Sequence, residues 1–543
     1  MSPAEPVNAD VIIIGAGFGG CYLLKLLRDA GFSVKVFEAG YGLGGIWSWN
    51  RYPGARVDCE TPFYGYSDPK LWSTWFWPER FPDDKTLREY FSHVDSVWKL
   101  SKDVYLETRV TAASFIDDKE QPYWEVQTAD GQLHKCTWLV PATGTSFKQY
   151  IPTWNGLKSY KGIIAHSSLW PREGVEIEGK RVAVIGAGST GVQFTQDGSK
   201  VAKTLTQFIR TPNTALPMGQ RKISREEILS NRDKYGHLFK ACRGTAFGLP
   251  TEGLTFGTFD VSAEEREAIW NELWDRGGFN WSIGGFPDTI ISKEANRAAY
   301  DFWVKKTRAR IRDPKKRDLL APLEPPYYLG TKRPSLEQDY YEAIDQEHVE
   351  ITNSPIVEFT ETGIKTEDGK VHEFDVIAVC TGYDAVTGGL RTMGIKGRGG
   401  VDLDEYWNDG IRTHLGMMIH NYPNLYMIYG PQAPASFTNG PPFLEMQGEW
   451  IRDVICKQRE QKIPVLEAKK DAETAWAKGI SELANGTLAI HTNSWYMGGN
   501  VPGKKREFLL YLGGLQEWNR ACQNALSDWQ DFEVTRGSES VKL

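Results

Sequence analysis

Two Gly-x-Gly-x-x-Gly runs, each following an apolar stretch and opening a helix-compatible one, constrain this 543-residue chain more than any other feature. The first is Gly15-Ala-Gly-Phe-Gly-Gly20, and the second is Gly186-Ala-Gly-Ser-Thr-Gly191. Asp-Val-Ile-Ile-Ile at 10–14 reads as a fully buried parallel strand. Residues 21–30 carry helical spacing and Gly31 stops it, and 33–37 read as the next strand, closed by Glu38. In such a unit the first glycine (Gly15) permits a tight turn and the second (Gly17) lets backbone approach a pyrophosphate. The third (Gly20) packs helix on strand, and the helix N-terminus supplies positive potential. Glu38, 18 residues after Gly20, is spaced to accept hydrogen bonds from a ribose.

The unit recurs, with a strand at 181–185, the turn through Gly186, Gly188 and Gly191, a helix at 192–202 and a strand at 203–209. Two units in series imply two dinucleotides facing each other. The second departs where it matters: its second strand ends at Arg210-Thr211, 19 residues past Gly191, without an acid. An acid there favours a free 2′-hydroxyl and a cation favours a 2′-phosphate, so Arg210 points to NADPH over NADH.

A chain this long exceeds one core and predicts about three domains. Ser262-Ala-Glu-Glu265 is a capping box, Ala268, Ile269, Leu273 and Trp274 fall at helical spacing, and 293–310 also reads as helix. Strands at 138–142 and 375–380, followed by Thr143-Gly144 and Thr381-Gly-Tyr-Asp384, look like crossings between domains. The predicted fold class is α/β, with two Rossmann-like dinucleotide-binding domains and a mainly helical insertion. The expected partition is 1–150 with 385–543 for the first, 151–215 with 330–384 for the second, and 216–329 for the insertion.

A formal charge of −7 argues against a nucleic-acid partner. No apolar run reaches roughly 18 residues, so no membrane span is expected. The polar start lacks a secretory pattern, so no secretory signal is expected, and the expected location is the cytoplasm. The ending Ser-Val-Lys-Leu543 is one residue from a Ser-Lys-Leu peroxisomal address, a second reading of location. Seven scattered cysteines without a Cys-x-x-Cys fit a reducing compartment and predict neither a metal site nor a dithiol centre.

Between the fingerprints lies Tyr160-Lys-Gly-Ile-Ile-Ala-His-Ser-Ser-Leu-Trp-Pro171. It resembles the Baeyer–Villiger monooxygenase signature, Phe-x-Gly-x-x-x-His-x-x-x-Trp/Pro, matched at Gly162, His166 and Trp170, with Tyr160 where Phe is usual. Three further segments are similar to that family: Gly44-Gly-Ile-Trp-Ser-Trp-Asn-Arg-Tyr-Pro-Gly-Ala-Arg-Val-Asp58, Gly330-Thr-Lys-Arg-Pro334 and Asn493-Ser-Trp-Tyr-Met-Gly-Gly-Asn-Val-Pro-Gly503. The resemblance implies FAD at the first fingerprint and NADPH at the second. It implies oxidation of a ketone by O2 to an ester or lactone, through a C4a-peroxyflavin and a tetrahedral intermediate, with sulfoxidation as a side activity, in a monomer. Gly45, Trp47 and Asp58 then run along the flavin. Arg333 is the central catalytic residue, steered by Asp58. Lys332 joins Arg210 and Thr211 at the 2′-phosphate. Trp495 contacts the nicotinamide nucleotide. His166 is a hinge or orienting residue, and Trp170 stiffens the linker. Asp384, Tyr64 and Met446 fall at the cofactor, and Phe437 with Met446 shapes an apolar ketone pocket.

Other readings stay open at this stage. An N- or S-oxygenating flavin monooxygenase does not need Arg333. A pyridine nucleotide–disulfide reductase needs the Cys-x-x-Cys that is missing. A nucleotide-bound sensor or scaffold leaves Arg333 and Asp58 without purpose.

Overall fold

The computed structural model describes residue 3 and residues 5–535. The two glycine-rich units each nucleate their own sheet. The larger has seven strands in the order Ile395–Lys396, Val110–Ile116, Tyr123–Thr128, Leu133–Pro141, Asn8–Ile14, Val34–Phe37 and Val104–Tyr105. The smaller has five, in the order Val349–Thr352, Thr204–Phe208, Arg181–Ile185, Val376–Val379 and Ile163–His166, all parallel. In each, the strand before the fingerprint is central and almost fully buried, as the apolar runs require.

The helices begin earlier than their apolar spacing suggests. The first spans Phe18–Asp29 rather than 21–30, because Gly17 is its N-cap and Gly19 and Gly20 lie inside its first turn. A side chain at Gly20 would put its Cβ 1.9 Å from the Gly15 carbonyl oxygen, so this crossing of helix and strand excludes every other residue. The second helix spans Ser189–Gly198 rather than 192–202 and stops at a glycine–serine pair, both poor helix formers. The strand expected at 138–142 is the end of a longer one, Leu133–Pro141, which also pairs antiparallel with Tyr123–Thr128.

Residues between the two strands Leu216–Pro217 and Leu336–Glu337, which pair with each other, form the helical insertion. The capping box is present: Ser262 Oγ accepts from the Glu265 N–H at 3.2 Å, and Glu265 Oε2 accepts from the Ser262 N–H at 2.9 Å. Rings of Trp270, Trp274, Trp281 and Phe302 interlock beneath that helix. Helix Tyr235–Arg243 docks on the long helix Gly440–Glu460 through Arg243, which pairs with Glu445 at 2.8 Å and Glu449 at 2.7 Å. Glu445 also accepts from the Ser67 N–H and hydroxyl, so one buried carboxylate joins three segments.

No helix among the described residues is long and apolar enough to cross a membrane. The terminal Ser-Val-Lys-Leu lies outside the described residues.

Candidate active site

The first fingerprint presents a helix N-terminus with no side-chain cap and no acid in its first turn. Its orphan N–H groups are therefore available to an anion. Gly45, with φ +56°, brings its backbone so near Gly17 that an added Cβ would sit 2.9 Å from the Gly17 Cα. Glu38 is buried at the end of the adjoining strand and accepts from the N–H groups of Ala16 at 2.7 Å and Gly40 at 2.6 Å. Burial pushes its carboxyl above the usual range, opposed by those two hydrogen bonds. Trp47 donates its indole N–H to the Tyr64 hydroxyl at 3.1 Å, joining two of the expected cofactor residues into one wall. These donors, the buried acid and the edge-to-face Trp47–Tyr64 pair fit the phosphates, ribose and ring system of FAD.

The second fingerprint helix is likewise uncapped. An added Cβ at Gly188 would meet nothing within 4 Å, so the backbone there faces open space, as a cradle for phosphate requires. Arg210 and Lys332 converge beyond it. Among the described residues neither has a carboxylate at ion-pair distance. Burial lowers the Lys332 ammonium first, and the charge of Arg210 lowers it further. Lys332 Nζ lies 4.8 Å from the centre of the Tyr327 ring, whose hydroxyl accepts from the Thr214 N–H at 3.0 Å and donates to the Pro212 carbonyl at 3.2 Å. Tyr327 thus ties Lys332 to the loop that follows Thr211. Two unpaired cations held side by side suit the 2′-phosphate of NADPH.

Arg333 and Asp58, 275 residues apart, meet at the centre. Nε and one terminal nitrogen of Arg333 donate to the same oxygen, Asp58 Oδ2, at 3.0 and 2.7 Å. The other terminal nitrogen donates to the Ser436 carbonyl at 2.6 Å. The contact is side-on to one oxygen, not a two-oxygen fork, and it still fixes the guanidinium plane. Phe279 lies under that plane, with 4.9 Å between the guanidinium carbon and the ring centre. Burial disfavours the cation, but Asp58, Tyr496 and Cys59 outweigh it and raise its pKa, so Arg333 stays charged. The side chains remain 26% and 31% exposed, so the pair faces open volume.

Phe437 follows Ser436, packs tilted against Tyr496 and stacks on Phe508, with ring centres 4.7 and 6.1 Å away. Met446 is buried in the long helix. Sequence reasoning missed a second wall. Leu249, Phe279 and Ile283 of the insertion line a small pocket with Asp58, Cys59 and Phe63. The aromatic loop at 277–286 was the available signal, but nothing local said which site it would face.

The linker residues are structural in their contacts. Tyr160 is buried, and its hydroxyl donates to the Phe374 carbonyl at 3.0 Å. Gly162 is boxed in, since an added Cβ would lie 2.4 Å from that hydroxyl. His166 is buried at a strand end, with Nδ1 2.7 Å from the Ser168 hydroxyl, and burial holds it down to about 4, hence neutral. Trp170 packs on Phe194 of the second fingerprint helix. Asp384 is held by Lys504 at 2.7 Å and Lys148 at 3.5 Å, a cross-link between chain segments. Trp495 is half-buried against Tyr496, and its indole N–H has no partner among the described residues.

The comparisons with known proteins agree with this architecture. Residues 9–231 match the family model described as pyridine nucleotide-disulphide oxidoreductase. The chain is 42% identical to cyclopentanone 1,2-monooxygenase of Comamonas over 510 residues, covering 93% of this chain and 92% of that one. It is 40% identical to the FAD-binding monooxygenase acrE of Aspergillus aculeatus, covering 98% and 90%. The crystal structure of cyclohexanone monooxygenase from Rhodococcus sp. Phi1 bound to NADP+ superposes with a TM-score of 0.94 at 35% identity, covering 98% of this chain and all of that one.

Proposed function

The chain belongs to the Baeyer–Villiger monooxygenases, the FAD- and NADP-using enzymes that oxidise ketones, and from that membership we propose that it converts a small, predominantly apolar cyclic ketone to its lactone at the Arg333–Asp58 centre. The single observation that carries the proposal is that charged pair, fixed in plane and facing open volume. Bound FAD would supply the oxygen activation, and bound NADPH the reducing equivalents.

Arg333 has five N–H donors, of which three are used by Asp58 and Ser436. Two remain, one on each terminal nitrogen, for oxygen atoms that gain negative charge during the reaction. Removing one such preorganised donor costs on the order of 10²–10³ in rate. Asp58 offsets the guanidinium charge at rest and keeps the free N–H groups aimed. Glu38 and the glycine-rich turn hold the flavin nucleotide, and Arg210, Thr211 and Lys332 hold NADPH. Phe437, Met446 and the insertion wall at Leu249 and Phe279 exclude water and seat the ketone. Cyclic ketones are the class named for two relatives of this chain.

The test incubates the yellow protein with NADPH, O2 and cyclic, linear and aryl ketones, and identifies products by gas chromatography–mass spectrometry. Lactone from the wild type, lost in Arg333→Ala while NADPH still bleaches the flavin, is the expected result. Oxidation of amines or sulfides alone, unaffected in Arg333→Ala, overturns the proposal in favour of heteroatom oxygenation.

A further inference from the structure

The second fingerprint helix grips the segment that carries Asp58. Gln193, on that helix, is 7% exposed, and Tyr52 is 6% exposed. The Tyr52 hydroxyl and Gln193 Oε1 are 2.8 Å apart, and Gln193 Nε2 is 3.0 Å from the Arg56 carbonyl oxygen. The orientation of the amide follows from chemistry. A carbonyl only accepts, so the amide nitrogen must face Arg56, and its oxygen must then accept from Tyr52. Burial raises the Tyr52 phenol, which keeps it a donor. Between these two contacts Gly54, at φ +82°, presses on the same helix: an added Cβ would lie 2.4 Å from the Gln193 carbonyl oxygen. Asp58 is two residues past Arg56. A shift of the NADP-side helix therefore moves the chain that aims Asp58, and through it Arg333.

We infer that Gln193 is a positioning residue that registers the NADP-side helix against the Tyr52–Arg56 segment, so that Arg333 is correctly aimed only while the two sheets are in register. The inference rests on the proposed oxygenation. It differs from a role in holding NADPH, because both polar atoms of the amide already bond flavin-side groups, its oxygen to Tyr52 and its nitrogen to the Arg56 carbonyl.

The test measures three quantities in FAD-loaded wild type, Gln193→Leu, Tyr52→Phe and the double variant. These are the KM for NADPH, the rate of flavin bleaching by NADPH without O2, and the share of consumed NADPH recovered as lactone rather than hydrogen peroxide. Misplacement of a reacting group by about 1 Å can cost 10²-fold. The expected result is a fall of about 10-fold or more in lactone formation at saturating NADPH. Lost lactone should be replaced by hydrogen peroxide, with KM and bleaching rate retained, and the double variant should be no worse than Gln193→Leu. A raised KM with lactone yield intact overturns the inference, as do losses that add in the double variant. Tyr52→Phe removes only the hydroxyl, which also bonds Thr190 of the same helix, so it tests the contact between this segment and that helix should Gln193→Leu bind FAD poorly. If the wild type itself yields no lactone, the functional reading fails instead, and the two failures are distinguishable.

Discussion

Lys332→Ala should weaken discrimination between NADPH and NADH. The structure sets the size of the effect. Lys332 is half-buried, its ammonium sits over Tyr327, and no carboxylate among the described residues pairs with it. A hydrogen bond to a charged group contributes about 1.5–3 kcal/mol, and about 1.4 kcal/mol is a factor of ten. The KM for NADPH should rise about 10- to 100-fold. Arg210 is exposed, so Arg210→Ala should raise it only about 2- to 5-fold. NADH has no 2′-phosphate, and its KM should move little in either variant. The pH profile carries the sign. Burial and then Arg210 hold the Lys332 ammonium below the ordinary lysine range. Its charge is therefore lost as pH rises, earlier than for an ordinary lysine, and kcat/KM for NADPH should fall on the alkaline side. Arg210→Ala removes one of the two causes and should shift that fall to higher pH. Steady-state kinetics with both nucleotides from pH 7 to 10 measures all of this. A KM for NADH that rises in step with that for NADPH would refute the reasoning, because Lys332 would then build the pocket rather than read the phosphate.

Other outcomes follow from single contacts. Tyr160→Phe restores the usual residue of the signature but leaves the Phe374 carbonyl without its donor, costing about 0.5–1.5 kcal/mol in a thermal or urea melt with lactone formation unchanged. Arg243→Ala strands Glu445, which is 1% exposed, and should cost about 3–5 kcal/mol, read as a lowered melting midpoint. His166 has a folded pKa near 4 against an ordinary 6.5, so its contribution to stability is present above 6.5 and lost as pH falls towards 4. Its ring is faced by the Ser168 hydroxyl and N–H, the Tyr383 ring and the backbone of Gly382 and Tyr150, and by no charged group among the described residues. Melts of His166→Asn between pH 7 and 5 should show a shallower decline than wild type; an equal slope would mean that other groups set it.

What could be read from the sequence is local. Gly15 and Gly20, an apolar strand before them and Glu38 after them lie within one supersecondary unit, and steric exclusion makes each glycine obligatory. Ser262 and Glu265 are legible for the same reason, since a capping box closes within one turn. The catalytic pair is different. Nothing in residues 58 or 333 by themselves brings a carboxylate to a guanidinium 275 positions away, and only the likeness of whole segments to a family suggested it. The insertion wall, with Leu249 and Phe279 beside Asp58, could not be read at all. Its place depends on how helix Tyr235–Arg243 docks, and that docking is set by Glu445, a buried acid two hundred residues further on that looks like an ordinary helix residue. Asp384 shows the converse: a residue matched by its neighbours in sequence spends its charge on Lys504 and Lys148. A helix face or a strand edge has one geometry and can be inferred from spacing. A side chain that joins two domains has a partner chosen by the whole fold, and the Gln193–Tyr52 contact is of that kind. Its two residues are unremarkable in sequence, and their meaning comes from lying where one nucleotide-binding unit touches the strand-to-loop path of the other.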